Sequence, residues 1–417
     1  MRILYIVHQF FPKHYYGTER FTLSLAQQMQ RLGHYPIVMT YEREADGDGW
    51  SPLQKSVFVK KYSYQGIPVI SLRSTSSSKE YEIFSKDIEG VVEKLQLGID
   101  LVHVTHPMWL ASVARDCKRQ GTPLLLTLTD TWLLCPRGLI DRNYRTCKGP
   151  LAGGGCVSNC AFDSPATMLA RYREATSLLD LADSIATSSH FTADTFAKNG
   201  CNHSMHIVPH SIDYRFVKSV QRSPHDVLSL TYIGSIGFHK GLHVLVKALK
   251  KAPQSNLRLT VYGSLREYPT YASEILDIAG GDNRIRFLEE FGMESISKIM
   301  EDTSLLVVPS VYPDNYPLVI LAALAYRVPV IGSRIGGIPE MIQNGVNGFL
   351  FQPGNTDELV SITTKIAREP EIVQTLSEHI QSPRRLEEEA FDYENIYTEL
   401  TQQISTRTPS ASIRPGD

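Results

Sequence analysis

The strongest constraint on the fold of this chain comes from one stretch, Leu305 to Pro353. It begins with the apolar run Leu305 to Val308, which is typical of a parallel strand buried on both faces. An all-apolar helix is predicted over Leu318 to Tyr326, a second strand over Pro329 to Ile331 and a glycine-rich turn over Gly332 to Gly337. Strand, loop and helix in this repeated order indicate half of a doubly wound sheet. Ligands bind such sheets beyond the carboxyl ends of the strands.

The length of the chain sets the number of domains that it can form. Its 417 residues, 42% hydrophobic and 21% charged, indicate an ordinary globular protein with two domains of about 200 residues each. A net charge of −2 gives no indication of nucleic-acid binding. No apolar run reaches the roughly 18 residues of a membrane-spanning helix, and the initial MRILYIVHQFF is interpreted as a first strand rather than a secretory signal. We therefore expect a cytoplasmic protein.

A second strand–loop–helix unit is predicted at the start of the chain. Arg2 to Val7 is expected to be a buried strand, and Thr18 is expected to cap a helix that runs to about Leu32. The residues from Thr40 to Lys61 are polar and predicted to be irregular. Gly17, before the helix, fits a phosphate cradle, because a helix start offers free N–H groups and a partial positive charge. A loop glycine with no ligand is the alternative interpretation.

Candidate substrate-side residues follow two further strands of this first half. The predicted strand Leu101 to Thr105 brings His103 and His106 to its end, and Asp130 follows a strand predicted over Pro123 to Thr129. A histidine in such a place contacts a substrate or is simply packed and hydrogen-bonded. Both interpretations stay open.

The second half of the chain also begins with a strand and a glycine-rich loop. The strand is predicted over Leu228 to Ile233, and the loop ends in Lys240. A lysine at the mouth of a strand–helix loop can pair with a diphosphate as a compact point charge. The alternative is a solvated lysine near a helix start. The polar segment Arg222 to Asp226 is the predicted hinge between the two halves.

Four of the six cysteines fall in one segment, at Cys135, Cys147, Cys156 and Cys160. Disulfides are rare in cytosolic proteins, so clustered cysteines favour metal or redox chemistry. Four thiolates could bind zinc tetrahedrally or hold an iron–sulfur cluster. The spacing is not that of two CxxC knuckles. A structural metal, free thiols and a disulfide therefore all stay open, in that order of preference.

Several short motifs follow one another along the stretch from Leu305 to Pro353. They are Pro309-Ser310, Asp314-Asn315-Tyr316-Pro317-Leu318, Pro329-Val330, Gly336-Gly337, Pro339-Glu340 and Asn347-Gly348-Phe349. Together they resemble the donor-binding segment of the retaining glycosyltransferases of family 4. The resemblance implies the α/β GT-B fold, in which two Rossmann-like, doubly wound domains face each other across a cleft. Some members of that family carry a similar cysteine-bearing insertion, for which the resemblance implies a structural role.

The resemblance also implies an activity. It is the transfer of a sugar from a nucleotide-sugar donor (a UDP- or GDP-sugar) to a glycan or lipid-linked acceptor, with retention of configuration and without a catalytic metal. Synthesis of a cell-surface polysaccharide or glycolipid, at the inner face of a membrane, would fit such an enzyme. The residues implied as catalytic are Lys240 and Asp314. Those implied in donor binding are Gly17, Ser235, Lys240, Asp314, Asn315, Tyr316, Pro317, Leu318 and Ala322. Those implied on the acceptor or sugar side are His106, Thr129 and Asp130.

Four positions depart from the family's pattern. Asp314 and Ala322 stand where two glutamates are usual, of which the first contacts the sugar and the second the ribose hydroxyls. Thr129 replaces a frequent histidine, and Ser235 replaces an arginine, so that one fixed positive charge remains in its loop. Thr129, Asp314 and Ala322 support a second hypothesis, a catalytically impaired relative that binds a nucleotide sugar or a partner protein without turnover. We prefer the active enzyme.

The expected organisation has four parts. An acceptor-side domain spans residues 1–221 and carries the cysteine-rich insertion at 135–160, and a donor domain spans residues 222–388. A helix over residues 389–405 is expected to brace the first domain, and residues 406–417 form a disordered tail. An oxidoreductase is a weaker interpretation, because no G-x-G-x-x-G follows a strand.

Overall fold

Two parallel-stranded sheets organise the molecule. The computed structural model describes residues 1–407 except 44–47, 77–81, 139–146, 148, 151–153, 161–163, 215–216, 218–226, 255 and 290–294. Within these ranges the first sheet has the strand order β3-β4-β5-β2-β1-β6-β7-β8-β9. Its strands are β1 (Arg2–Ile6), β2 (Tyr35–Tyr41), β3 (Ser51–Gln54), β4 (Val57–Tyr64), β5 (Ile67–Ser74), β6 (Leu101–Val104), β7 (Leu124–Leu128), β8 (Ser184–Thr187) and β9 (Met205–Ile207). Its helices are α1 (Gly17–Arg31), α2 (Val91–Leu95), α3 (Ala111–Arg119), α4 (Gly154–Cys160), α5 (Pro165–Leu181) and α6 (His190–Lys198).

The second sheet has the order β12-β11-β10-β13-β14-β15, and its paired strands are all parallel. Its strands are β10 (Leu228–Ile233), β11 (Leu257–Tyr262), β12 (Ile285–Leu288), β13 (Leu305–Val308), β14 (Val330–Ser333) and β15 (Gly348–Phe351). The helices that follow in the chain are α7 (Leu242–Lys251), α8 (Pro269–Ala279), α9 (Ile296–Glu301), α10 (Leu318–Ala325), α11 (Ile338–Met341), α12 (Thr356–Arg368), α13 (Glu371–His379) and α14 (Leu386–Arg407). The α/β architecture with two parallel-sheet domains is the one predicted.

Burial on both faces of the central strands explains their apolar sequences. In β1, Leu4 and Ile6 join one apolar cluster, whereas Ile3 and Tyr5 join the cluster on the opposite face. In β13, alternate side chains divide in the same way between two clusters, one over each face of the second sheet. A strand covered on both sides needs apolar residues at every position, and this is why these strands were visible in the sequence.

Two local predictions for the first half were wrong. The polar region from Thr40 to Lys61 contains β3 and β4, which extend the sheet in antiparallel fashion. Val57 and Val59 are buried there between less buried neighbours, which is the alternation of an antiparallel strand that faces the core on one side. Thr18 does not cap α1, because the helix already begins at Gly17 and Tyr16 occupies the cap position without a side-chain bond.

Helix α14 returns to pack on the first sheet. Its Tyr397 hydroxyl lies 2.7 Å from Nδ1 of His103, and Nε2 of His103 lies 2.7 Å from the Thr127 hydroxyl. All three side chains are buried. His103 therefore follows the packed and hydrogen-bonded alternative, away from the ends of the strands.

The chain passes between the two sheets twice. The segment around Ile212 leads out of the first sheet, and the segment around Arg384 leads back to α14. The Ile212 N–H donates to the Arg384 carbonyl at 3.0 Å, and the Tyr214 hydroxyl donates to the Pro383 carbonyl at 2.7 Å. The two crossing segments thus run side by side. The predicted hinge, residues 222–226, lies outside the described residues.

None of the helices in the described ranges combines the length and the apolar character that crossing a bilayer requires.

Candidate functional site

Each sheet reverses its strand order at one point. In the first sheet this point lies between β1 and β6, and in the second it lies between β10 and β13. The loops after these strands diverge, which leaves a crevice at the carboxyl ends of the strands, the usual place for a ligand in an open α/β sheet. His8 and His106 follow β1 and β6, and Lys240 and Asp314 follow β10 and β13. Both crevices are therefore lined by ionisable side chains.

The structure brings the two predicted catalytic residues together. Nζ of Lys240 lies 2.6 Å from Oδ1 of Asp314. The Ser310 hydroxyl donates to the other carboxylate oxygen, Oδ2, at 2.7 Å. The Asp314 side chain is largely buried, with 12% exposure against 30% for Lys240. An ion pair thus lies at the point where the second sheet reverses its order.

Backbone contacts fix the loop that presents Lys240. The Val311 N–H donates to the His239 carbonyl at 3.0 Å. Gly241 has a φ of +71°, and a Cβ there would lie 1.9 Å from the Pro309 carbonyl oxygen. Only glycine permits this close approach between the loops that follow β10 and β13. Ser235, another predicted donor-side residue, lies half-buried in the same loop.

The loop that presents Asp314 rests on the glycine pair predicted from the sequence. The Gly337 N–H donates to the Asp314 carbonyl at 2.8 Å. A Cβ on Gly337 would lie 1.7 Å from the carbonyl oxygen of Asn315. The backbone of the Asp314 loop therefore needs a glycine beneath it.

Asn315 contacts the first domain. Its amide Nδ2 donates to the Thr129 carbonyl at 2.8 Å. Its Oδ1 accepts a hydrogen bond of 2.5 Å from the Thr192 hydroxyl and another from the Ser189 hydroxyl. Thr129 directly follows the last residue of β7. Thr192 lies in the first turn of α6, and Ser189 caps that helix. The donor-binding role expected of Asn315 stays a prediction; in the structure its side chain joins the two domains.

The remaining predicted donor-side residues lie at and along α10. Pro317 precedes the helix, and Tyr316 and Leu318 are half-buried beside it. The Leu318 side chain approaches Gly17 of the first domain, where a Cβ would lie 3.9 Å from Leu318 Cδ1. Ala322 is half-buried and packs against the apolar cluster around this helix. Leu318 therefore lies on the face of the second domain that meets the start of α1.

A cluster of four ionisable side chains occupies the corresponding point of the first sheet. The imidazole rings of His8 and His106 lie against each other with their planes tilted by 40° and their centroids 3.9 Å apart. Nε2 of His8 lies 3.7 Å from Oε1 of Glu19, and Nε2 of His106 lies 3.6 Å from Oδ2 of Asp130. Sequence reasoning found His106 and Asp130 but missed His8 and Glu19. Their positions, directly after β1 and in the first turn of α1, were the available signal.

Burial sets the protonation of this cluster. It raises the pKa of Glu19 above its usual 4.5 and lowers the pKa of His8 well below 6.5, with the charges of His106 and His14 acting in the same direction on His8. Burial also acts to raise the pKa of Asp130. The charge of His106, together with the hydrogen bonds from His106 and from the Trp132 N–H, outweighs this effect, so the pKa of Asp130 is lowered. The cluster therefore places a neutral imidazole beside a carboxyl group whose pKa is raised by burial.

Thr129, predicted on the acceptor side, is held by hydroxyl contacts. Its Oγ1 donates to the Thr105 carbonyl at 3.1 Å and accepts from the Thr18 hydroxyl at 3.3 Å. A threonine in this arrangement connects β6, β7 and α1, and it has no basic nitrogen with which to accept a proton from a substrate.

All six cysteines are free thiols. Cys135 and Cys160 are buried, and Cys147 and Cys156 are half-buried. Burial, followed by the charges of the other three, raises the pKa of Cys156 to about 11. Across the residues that the structure describes, no set of three or more His, Cys, Asp or Glu side chains is arranged to hold a metal ion. The structural zinc or iron–sulfur site preferred from the sequence is therefore not supported, and the free-thiol alternative fits the structure.

Models of known protein families match both halves of the chain. Residues 15–216 match the model of Glycosyltransferase Family 4, and residues 213–382 match that of Glycosyl transferases group 1. A D-inositol 3-phosphate glycosyltransferase of Saccharomonospora viridis is 29% identical over 172 residues, 38% of this chain and 40% of the relative. The matched segments span between 30% and 45% of the length of the first five curated relatives.

Solved structures show the same fold over nearly the whole chain. Sucrose-phosphate synthase from Thermosynechococcus elongatus superposes with a TM-score of 0.70 at 18% identity, over 96% of this chain and 99% of that one. Anabaena HepE, solved in complex with UDP-glucose, superposes with a TM-score of 0.64 at 20% identity, over 98% and 99% of the two chains. The chain therefore has the GT-B fold, and its two halves match a family 4 and a group 1 glycosyltransferase domain in turn.

Proposed function

We propose that this protein is a retaining glycosyltransferase that moves a sugar from a UDP- or GDP-sugar to a glycan or lipid-linked acceptor. The donor binds to the second domain (residues 222–388), and the acceptor enters from the first (residues 1–221). The product is a cell-surface polysaccharide or glycolipid, made at the inner face of a membrane. The cysteine-bearing segment, residues 135–160, has a structural role.

The observation that carries the proposal is the ion pair between Lys240 and Asp314. It lies where the second sheet reverses its order, the position at which nucleotides bind in open α/β sheets. As the glycosidic bond breaks, negative charge develops on the leaving diphosphate. The Lys240 ammonium stabilises that charge as a preorganised group, in place of a metal, while Asp314 turns to the transferred sugar. One carboxylate oxygen of Asp314 stays on Ser310 and guides this exchange.

The ionisable cluster of the first domain is the counterpart on the acceptor side. His106 and Asp130 form a histidine–carboxylate pair at the carboxyl ends of β6 and β7. Such a pair orients the hydroxyl group of an incoming acceptor by hydrogen bonding and makes that hydroxyl easier to deprotonate. The matched glycosyltransferase domains and the structural likeness to a UDP-glucose complex support the proposal that the protein is a glycosyltransferase with a nucleotide-sugar donor.

A second candidate function is a relative that binds a nucleotide sugar without turnover. The observation in its favour is Thr129, whose hydroxyl is engaged by Thr105 and Thr18 at a place where the family often has a histidine. Ala322 adds to it, because a methyl group cannot accept hydrogen bonds from ribose.

Binding of UDP-, GDP- and ADP-glucose, followed by hydrolysis of the tightest one, tests the proposal. We expect one nucleotide to bind clearly better than the others and its sugar to be released slowly. Binding with no detectable release would favour the second candidate. If none of the three binds at millimolar concentration, both candidates are wrong.

Two lysine variants connect the result to the site. Lys240→Met should weaken binding about 10- to 100-fold, because a charge-assisted contact with the diphosphate is lost. Lys247→Met is the matched control, since Lys247 is exposed on α7, the helix that the Lys240 loop precedes. Equal affinities of the two variants for the nucleotide would show that Lys240 does not contact the diphosphate.

A further inference from the structure

The charges around Lys240 leave a diphosphate incompletely neutralised. The diphosphate of a nucleotide sugar carries two negative charges. The loop from Gly234 to Gly241 contains one lysine and no arginine, and that lysine is paired with Asp314. A donor that replaces Asp314 on Lys240 therefore meets one fixed positive charge from this loop.

His239 occupies the position from which a second charge can come. It directly precedes Lys240, is half-buried, and its carbonyl is held by the Val311 N–H at 3.0 Å. The rings of Tyr268 and Tyr312 approach it edge-on, each with its centroid 5.9 Å from that of the imidazole. The imidazole is thus fixed in the crevice beside the ion pair.

Gly237 makes room for this placement. A Cβ at residue 237 would lie 2.6 Å from Cε1 of His239, so the ring rests on the backbone at a residue without a side chain. Any other residue at this position would move the ring away from its two tyrosines.

The groups that face His239 keep it neutral before a ligand binds. Burial and then the positive charge of Lys240 lower the pKa of His239 to about 4, against an opposing effect of Asp314. The tyrosines beside it are uncharged at neutral pH, since burial raises the pKa of both. A dianion placed beside the ring would reverse this balance, because nearby negative charge favours the protonated imidazole.

We propose that His239 takes up one proton from solvent when the donor binds and serves as the second positive charge on the diphosphate. This inference rests on the proposed function and adds a residue to its donor site. Before binding, Lys240 balances Asp314. After binding, Lys240 and His239 together balance the two charges of the diphosphate, and the carboxylate of Asp314 remains as one net negative charge.

Proton uptake during binding is the direct test. UDP-glucose is the probe, because its diphosphate is a diester that does not titrate near neutral pH, so any proton taken up goes to the protein. Calorimetric titrations at about pH 6, in buffers of different ionisation enthalpy, give the number of protons bound per ligand. We expect uptake of a substantial fraction of one proton, and an affinity that falls as the pH rises from about 6 to about 8.

A matched pair of variants identifies the group. His239→Asn should abolish the uptake and weaken binding about tenfold at about pH 6, while its thermal unfolding stays close to that of the wild type. His243→Asn is the control. Its imidazole also has a pKa lowered to about 4, by burial and by Lys247, but its Nδ1 pairs with the Tyr271 hydroxyl at 2.7 Å and its ring stacks on Phe238. The uptake should persist in that variant.

The outcomes separate this inference from the proposed function. Binding of UDP-glucose without proton uptake, or uptake that persists in His239→Asn, overturns the role of His239 and leaves the donor site in place. If UDP-glucose fails to bind, and GDP- and ADP-glucose fail as well, the proposed function and the inference are both wrong. If one of those two binds instead, it replaces UDP-glucose as the probe in the same titrations.

Discussion

Oε1 of Glu340 accepts a hydrogen bond of 2.7 Å from the backbone N–H of Phe191. The other carboxylate oxygen accepts from the His190 N–H at 2.9 Å. Helix α6 begins at His190 in the first domain, whereas Glu340 belongs to α11 in the second. A carboxylate of one domain thus caps a helix of the other, where it satisfies free N–H groups and meets the positive end of the helix dipole.

Glu340→Ala is expected to weaken the contact between the domains. The loss of a cap and of its charge costs about 1 kcal/mol, because the carboxylate is exposed to solvent. The radius of gyration from small-angle scattering should increase, and the effect of the substitution should shrink at high salt.

Glu358→Ala is the matched control for this measurement. Oε2 of Glu358 accepts from the Gln352 N–H at 2.8 Å, within the second domain. This variant should lose stability without a change in radius. Equal radii for all three proteins would mean that Glu340 does not hold the domains together.

Asn315→Asp tests the second connection across the cleft. An aspartate keeps the acceptor for Ser189 and Thr192 but loses the amide that donates to the Thr129 carbonyl. It also places a negative charge against that carbonyl. We expect a loss of about 1–3 kcal/mol in the free energy of unfolding, measured with urea.

Asn344→Asp provides the comparison, because Oδ1 of Asn344 accepts from the Leu350 N–H at 2.8 Å and an aspartate retains that bond. Its unfolding should change little. A similar loss in both variants would show that the effect of Asn315→Asp is that of an asparagine in a loop rather than of the cleft contact.

Glu19→Gln should change how stability depends on pH. Burial raises the pKa of Glu19 in the folded state, so the stability from its proton is complete below 4.5 and is lost as the pH rises through the folded-state pKa. The loss can reach about 1.4 kcal/mol per pH unit in this window. Glutamine does not titrate, so the free energy of unfolding of the variant should improve relative to the wild type as the pH increases.

Urea unfolding between about pH 4 and pH 8 measures this difference. Glu378→Gln, an exposed glutamate of α13 that pairs with Gln374, is the surface control and should follow the wild type at every pH. Parallel curves for the wild type and Glu19→Gln would show that the carboxyl of Glu19 is not destabilised by burial.

Ala322→Glu should tighten binding of the nucleotide about 10- to 100-fold, because a carboxylate there can accept hydrogen bonds from the ribose hydroxyls. Calorimetry with UDP measures the change. Ala325→Glu, also half-buried and one turn further along α10, should give no such gain. Unchanged or weaker binding in Ala322→Glu would count against the placement of the ribose beside this residue.

Local sequence was sufficient to predict a strand wherever burial determines the residue types along its whole length. The strand Leu305–Val308 has the predicted bounds, because burial on both faces requires uninterrupted apolar residues, and Leu228–Ile233, with apolar residues at alternate positions, also has the predicted bounds. Lys240 and Asp314 were identified through the resemblance of their loops to the donor-binding segment of the family 4 glycosyltransferases. The strand Val57–Tyr64, which lies next to the edge strand β3, was missed, because an antiparallel strand with one face away from the core tolerates polar and charged residues.

Contacts between side chains of different elements were beyond local sequence. The pairing of His8 with Glu19 depends on how α1 lies against β1, and the direction of Asn315 depends on how the two domains approach each other. A residue's place at the end of a strand predicts that it lies in the crevice. It does not predict whether its side chain reaches a ligand or the opposite domain.

The two crossing segments around Ile212 and Arg384 determine how the cleft can open. A single peptide tether would let one domain tumble relative to the other, whereas two segments joined by hydrogen bonds behave as a short ribbon. A ribbon bends easily about one axis and resists twisting and sliding. We therefore expect the cleft to open by one swinging motion, so that each closure returns the Asn315 side chain to the Thr129 carbonyl.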